Sequence, residues 1–314
     1  MTLLSRDRAR CIFCVTGHLQ VACAFVVLGT NLAMRASDAS CIVIDRDITE
    51  VVKSVVIPRR AADAKSDDAS ETPREKLMVE VAHGSIEVIV DAKANDTRIE
   101  AQFTVDGIDL KDAERRAQVV KLYAERSADG TIVVQPVFPG KAMARDSAKV
   151  TIRVPTCGDS SVKSVDGAIS VRGITGALRV STKSGSIKVT EHLGSVDATS
   201  TDGSIVIEGA SDGVRATSSN GSIRVSLAEG NDHPFTLESK NGAIAMEVGT
   251  SFDGVVHMTS VSGALALVDP IKRALTPHSA EHSMTVEIGA AVGQSTMQTT
   301  NGSVALSLRG VVVK

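Results

Sequence analysis

The sequence predicts an all-β chain whose C-terminal half is a β-solenoid, a β-helix-like stack of coils of about eighteen residues. Two observations predict it. Tetrads of one kind recur at a fixed period, Asp166-Gly-Ala-Ile169, Ser184-Gly-Ser-Ile187, Asp202-Gly-Ser-Ile205 and Asn220-Gly-Ser-Ile223, with their glycines eighteen residues apart. Self-similarity at a fixed period is the mark of stacked repeats. The same offset aligns aliphatic columns: Ile169, Ile187, Ile205 and Ile223; Val171, Val189, Ile207 and Val225; Leu178, Val196 and Val214; Val180, Ala198 and Ala216. Adjacent columns stand two residues apart, so each strand turns one face inward.

The tetrad continues after interruptions as Asn241-Gly242-Ala-Ile244, Ser262-Gly263-Ala-Leu265 and Asn301-Gly302-Ser-Val304. Gly167, Gly185, Gly203, Gly221, Gly242, Gly263 and Gly302 are therefore read as structural turn glycines. Residues 230–234 and 269–283 are the places where extra chain leaves the coil as loops. A left-handed hexapeptide helix also spends eighteen residues per coil, but an aliphatic spacing of six from Ile169 lands on Thr175 and Ser181. Alternation by two fits, and strands joined by glycine turns are preferred. Each inward aliphatic contributes about 1.5–3 kcal/mol, whereas ordering each backbone residue costs about 1–2 kcal/mol. One coil alone would not stand, and stacking is required.

Composition agrees with a narrow layered interior. The 314 residues are 43% apolar, with no Trp and one Tyr, so aliphatic side chains must fill the core. With 34 basic and 37 acidic side chains the chain is near neutral, which excludes nucleic acid as an expected partner.

The N-terminus reads as an address. Arg6, Arg8 and Arg10 precede an uncharged stretch at 11–34, most apolar at 21–28, and small residues follow at Ser37 and Ala39. That is the order of a secretory signal, cleaved after Ala39. The uncharged stretch is also long enough to cross a bilayer, so an uncleaved inner-membrane anchor is the alternative. The Cys11-x-x-Cys14 pair has no second ligand pair and precedes the apolar run, so no metal site is assigned to it. Pairing of Cys41 with Cys157 is left open.

Four regions follow: 1–39, signal peptide or anchor; 40–75, exported linker; 76–160, a β-rich cap with one helix; 161–314, the repeats. Residues 42–57 read as one strand. The stretch PRRAADAKSDDASETPRE at 58–75 has no aliphatic residue larger than Ala and reads as flexible linker. In the cap, residues 77–90 form two strands about His83-Gly84-Ser85, and 98–105 another. Residues 110–119 form a helix with Asp109 as its N-cap. Residues 121–126 and 131–137 flank Asp129-Gly130 as a hairpin. Residues 149–154 end at Pro155 and lead into the repeats, and the cap covers the first coil.

The strand VTIRVP at 150–155, followed by runs of Ser/Asp-Gly-Ser/Ala-Ile, resembles the exported bacterial "putative adhesin" family, from Lys76 to the C-terminus. The resemblance implies a β-helix-like fold and an envelope or extracellular location, with no catalytic residues to carry over. Some members of that family resemble accessory proteins of envelope-stress systems.

Asp166, Ser184, Asp202, Asn220, Asn241, Ser262 and Asn301 form one column before the glycines, which would suit calcium or a sugar. The calcium-solenoid pattern Gly-Gly-x-Gly-x-Asp is absent, and these residue types favour turns by bonding local backbone. Arg179, Asp197 and Arg215 form an outward ladder of alternating charge that pins register. Thr182, Ser200 and Ser218, with Ser181, Thr199 and Thr217, are read as an outward hydroxyl surface. His278 and His282, beside Glu281, would suit a metal on a helix, but no His-Glu-x-x-His pattern is present. Cys157 is read as a small residue after the Pro155 turn. On the other face, Ser170, Lys188, Val206, Arg224, Ala245 and Ala266 stack no carboxylate pair, so no enzyme, cofactor or metal is expected.

The expected function is a non-catalytic exported adhesion-type protein presenting a polar surface to an envelope, glycan or protein partner. It would meet a membrane only through an uncleaved N-terminal segment. The alternatives are a membrane-tethered accessory protein of envelope-stress signalling and a polysaccharide-binding or polysaccharide-active β-helix protein.

Overall fold

The structure, a computed structural model, describes residues 10–15, 40–45, 48–59, 74–270, 272, 274–290 and 293–309. The cleavage position after Ala39, the apolar stretch at 21–28 and most of the linker lie outside the described residues. Among the described residues the chain is all-β, 62% strand with one helix, arranged as two large mixed sheets of thirteen and twelve strands.

The eighteen-residue offset becomes a hydrogen-bonding register. In the twelve-stranded sheet Leu178–Ser184, Val196–Asp202 and Val214–Ser218 pair in parallel, with Leu178 opposite Val196 and Val196 opposite Val214. In the thirteen-stranded sheet Ile169–Arg172, Ile187–Thr190, Ile205–Ala210 and Ile223–Leu227 do the same, with Ile169, Ile187, Ile205 and Ile223 in one row. Each repeat contributes one strand to each sheet, and all four aliphatic columns are buried to within a few per cent. One hydrophobic cluster runs from Val51 to Leu308, so the first β region and the repeats share a core.

Both ends of the stack depart from chain order. At the C-terminal end, Gln294–Asn301 lies between Phe235–Ser239 and Gly254–Ser262, and Val304–Leu308 lies between Ile244–Val248 and Leu265–Val268. The last repeat in sequence is thus an inner layer. At the other end, Glu75–His83 and Ile86–Val90 are held between the layer of Thr131–Val137 and Ser147–Val154 and the layer that begins at Cys157. The two strands around His83-Gly84 belong to different sheets, so that turn is a corner and not a hairpin.

The extra chain at 269–283, expected as a loop, contains the strand Ala274–Ser279 and leads into a second. Ala274–Ser279 and Ser283–Ile288 pair antiparallel, and the second lies against Gly254–Ser262. Its Val286 and Ile288 are fully buried, so the excursion continues one sheet past the last layer. Residues 42–57, expected as one strand, divide into Ser40–Asp45 and Ile48–Ile57, which pair antiparallel. The backbone of Arg10–Val15 pairs with Ser40–Asp45 at the edge of the same sheet.

The helix, Leu110–Val119, begins where the sequence places it. The Asp109 carboxylate accepts from the Asp112 amide at 2.8 Å, and the chain turns extended at Val120. Ala113, Ala117 and Arg116 face inward. The Arg116 guanidinium donates to Asp146 at 2.7 Å and to the carbonyls of Asp106 and Lys141, which satisfies a cation 8% exposed. Arg126 clamps the first β region by donating to the Pro58 carbonyl at 2.9 Å and to Glu75 at 2.5 Å. Among the described residues no helix is long and apolar enough to cross a membrane.

The inner position of the last repeat makes a measurable difference. A chain ending at Gly289 lacks the layer that joins residues 254–288 to the rest, and both neighbouring layers lose their ladders. Limited trypsin digestion should cut at Lys272 at a protease concentration that spares this bond in the full chain, while the fragment from Glu75 to Lys272 persists. Equal resistance of the two chains would show that the layers stack in sequence order instead.

Candidate functional site

The outward faces owe their regularity to the corner that joins the two strands of each repeat. A Cβ placed on Gly185 would stand 2.1 Å from the Gly167 carbonyl oxygen, and one on Gly203 or Gly221 1.9 or 2.0 Å from the oxygen one layer below. The relation continues through Gly242, Gly302 and Gly263, in the spatial order of the layers. The glycines are demanded by the approach of neighbouring backbone, and Gly185, Gly203 and Gly221 have no left-handed φ.

Inside this corner each layer places one hydroxyl on the glycine carbonyl of its neighbour. Thr182, Ser200, Ser218 and Ser239 donate to Gly167, Gly185, Gly203 and Gly221 at 3.1–3.2 Å, and Thr299 and Ser260 repeat the bond to Gly242 and Gly302. These hydroxyls are buried. Half of the expected outward hydroxyl surface is therefore interior, because Thr182 continues the inward parity of Leu178 and Val180. Ser181, Thr199 and Thr217 remain on the outer face.

The column before the glycines also bonds between layers. Asn220 donates its amide to Asp202 at 2.6 Å, Asn241 to Asn220 at 2.8 Å, and Asn301 to Asn241 at 2.7 Å. At the other end His83 Nδ1 lies 3.0 Å from Asp166. Asp202, Asn220, Asn241 and Asn301 thus form a ladder along the stacking axis. Among the described residues no cluster of three or more His, Cys, Asp or Glu side chains could hold a metal.

The outer face of the twelve-stranded sheet carries the charge ladder. Arg179 lies 3.4 Å from Asp197. Arg215, opposite Asp197 in register, has no ion pair among the described residues. An open groove of about 720 Å³ runs beside this ladder, lined by residues that include Met78, Asp159, Ala177, Ser195, Gly213 and Pro234. On the same sheet, His257 Nδ1 faces Thr285 Oγ1 at 3.1 Å, and His278 lies opposite Thr285 on the next strand. Because 274–279 is strand, a spacing of four does not bring His278 and His282 onto one helical face.

Two titratable groups are shifted by burial. The Cys157 thiol is free, 3.2 Å from Ser160 Oγ, and desolvation pushes it up to about 12. His192, fully buried at a corner with Nε2 3.1 Å from the Ser195 carbonyl, is held below the usual imidazole range by the same cause. Neither lines the groove beside Arg215. The sequence signal for His192 was its place in the column of Ile174 and Ala210, both buried.

Residues 178–303 match a family model described as "Domain of unknown function (DUF7330)". No curated protein matches the chain. Among solved structures, a "putative cell adhesion protein" from Clostridium sporogenes is 9% identical, with a TM-score of 0.29 over 82% of this chain and 99% of that one. A "putative adhesin" from Bacteroides fragilis is 11% identical, with a TM-score of 0.40 over 83% and 97%. One from Parabacteroides distasonis is 10% identical, with a TM-score of 0.27 over 84% and 98%. These names agree with the family that the strand at 150–155 and its tetrads resemble. At such scores the superposition is loose, and nothing about binding or activity follows from it.

Two substitutions separate close approach from simple loss of glycine. Gly221→Ala should cost at least about 2 kcal/mol in urea unfolding, since the added methyl must displace backbone. Gly293→Ala, with nothing within 4 Å of the added carbon, should stay within about 0.5 kcal/mol. For Cys157, the raised folded value means that stability falls as pH climbs from 9 towards 12, where the unfolded thiol ionises and the folded one does not. At pH 8 iodoacetamide should leave the Cys157 peptide unmodified in the native chain and label it in urea, as read by mass spectrometry.

Proposed function

We propose that the chain is a non-catalytic β-solenoid of the cell envelope or extracellular space that holds a flat polar face toward a partner. Parallel pairing at an offset of eighteen, with one strand per repeat in each sheet, supports the solenoid reading. The observation that carries the function is the double set of side-chain ladders, one of buried hydroxyls and one of asparagines. The hydroxyl ladder ties each layer from Glu75–Val90 to Gly254–Val268 to the next and fixes the outward columns at a spacing of about 4.8 Å. A surface so fixed binds without the ordering cost of a mobile one.

The outward column Ser181, Thr199, Thr217, Glu238 and Gln298 is polar and supplies no pair of carboxylates in adjacent layers. The groups outside the core with shifted protonation, Asp112, Tyr123, Asp129, Arg172 and Glu191, are each explained by a hydrogen-bonding neighbour. That pattern supports a scaffold over an enzyme.

Cell fractionation followed by N-terminal sequencing tests the proposal. A mature chain starting at Ser40 in an envelope or external fraction, able to adhere to envelope material, is the expected result. A membrane-bound chain that keeps its first residues would favour the tethered accessory protein. An intact chain in the cytoplasm would overturn the proposal.

A further inference from the structure

The groove on the twelve-stranded sheet has a simple origin. Along each strand there, one inward residue separates two outward ones. The first outward column holds Lys76, Asp159, Ala177, Ser195, Gly213 and Pro234, and the second holds Met78, Ser161, Arg179, Asp197, Arg215 and Thr236. Ala177, Ser195 and Gly213 in the first column leave a floor of backbone and carbon. Arg179, Asp197 and Arg215 in the second raise a wall beside it. Because the columns run across the strands, the groove follows the stacking axis for roughly 24 Å at about 4.8 Å per layer.

Its charges are unequally engaged. Asp159 accepts from the Ala177 amide at 2.9 Å, and Asp197 faces Arg179 at 3.4 Å. Lys76 and Arg215 line the groove with no ion pair among the described residues. The groove is thus positive on a chain of formal charge −3. Arg215 has an exposed guanidinium, the group that receives a carboxylate through two parallel hydrogen bonds.

We propose that this groove binds an acidic polysaccharide laid along the stacking axis, with Arg215 receiving a carboxylate and Ser161, Ser195 and Thr236 the sugar hydroxyls. The proposal deepens the adhesion-type function above and rests on it. Other linear polymers fit less well. No aromatic side chain lines the groove, so bases and neutral sugars have no ring to stack on. Two unpaired cations are few for a nucleic acid. The strands beneath are already paired on both sides, so an extended peptide finds no open sheet edge to join. The carbon floor suits the apolar faces of sugar rings, and the wall suits their substituents.

The full chain is tested by calorimetry against polygalacturonate, alginate and hyaluronate, with dextran as the neutral polymer and polyglutamate as the acidic peptide. At least one acidic polysaccharide should bind, dextran should not, and polyglutamate should bind more weakly. Binding should weaken as salt is raised. Arg215→Ala should lose about ten- to a hundredfold in affinity with an unchanged melting transition, and Arg215→Lys should lose less. Asp197→Asn, which frees Arg179 and removes a negative charge, should bind at least as tightly as the native chain. Absence of binding to all three acidic polysaccharides, equal affinity of Arg215→Ala, or polyglutamate binding as tightly would each overturn the proposal. An exported chain that adheres to envelope material but fails these tests removes the groove alone and leaves the adhesion-type function standing.

Discussion

Successive layers of this chain meet at their corners so closely that a single methyl group has no place between them. That contact depends on glycine at Gly185, Gly203 and Gly221, and much of the remaining order follows from it. With the backbones so near, a hydroxyl from each layer reaches the neighbouring glycine carbonyl, and a polar group that would otherwise be buried without a partner is satisfied. The same contact sets the register of both sheets, since a corner displaced by one residue would turn every inward aliphatic outward. A core with so few aromatic side chains then suffices, because each layer buries its Val, Ile and Ala between two others.

A stack of this kind is weakest at its ends, where a layer has a neighbour on one side only. The chain places its first complete layer, Glu75–Val90, and its last, Gln294–Leu308, one step inside the stack. Beyond the first layer lie Thr131–Val154, with the helix and the Arg116–Asp146 pair behind them, and beyond the last lie Gly254–Val268 and the antiparallel strand Ser283–Ile288. At the C-terminal end, opening the outer layer is thereby the opening of a closed loop, which needs two ladders broken at once.

Rigidity of this order is what a binding face requires when it has neither a deep cavity nor a mobile lid. Side chains spaced by the layers themselves form a linear array, and a linear polymer is the ligand whose repeats such an array can meet. The groove beside Arg179, Asp197 and Arg215 arises because small and long residues occupy alternate columns, so it costs the core nothing. The buried groups, Cys157 and His192, lie elsewhere and are kept neutral by the interior.

Much of this was legible in the sequence. The tetrads and their period determined which aliphatic residues face inward and where the corners lie, and Asp109 before the 110–119 stretch marked the start of the helix, because each depends on residues close in the chain. Parity alone could have placed Thr182 inside with Leu178 and Val180, but a hydroxyl reads as a surface group until a carbonyl is shown within reach of it. The partners of Asn220 and Asn241 were hidden for the same reason, since a side chain that suits a turn says nothing of the layer beside it. Only the tertiary structure decided the order of the outer layers, the strands Ala274–Ser279 and Ser283–Ile288, and the freedom of Arg215. Repeats with equivalent faces can stack in more than one order. The choice is made by connections of irregular length and by which ends can be covered, and neither leaves a local trace in the sequence.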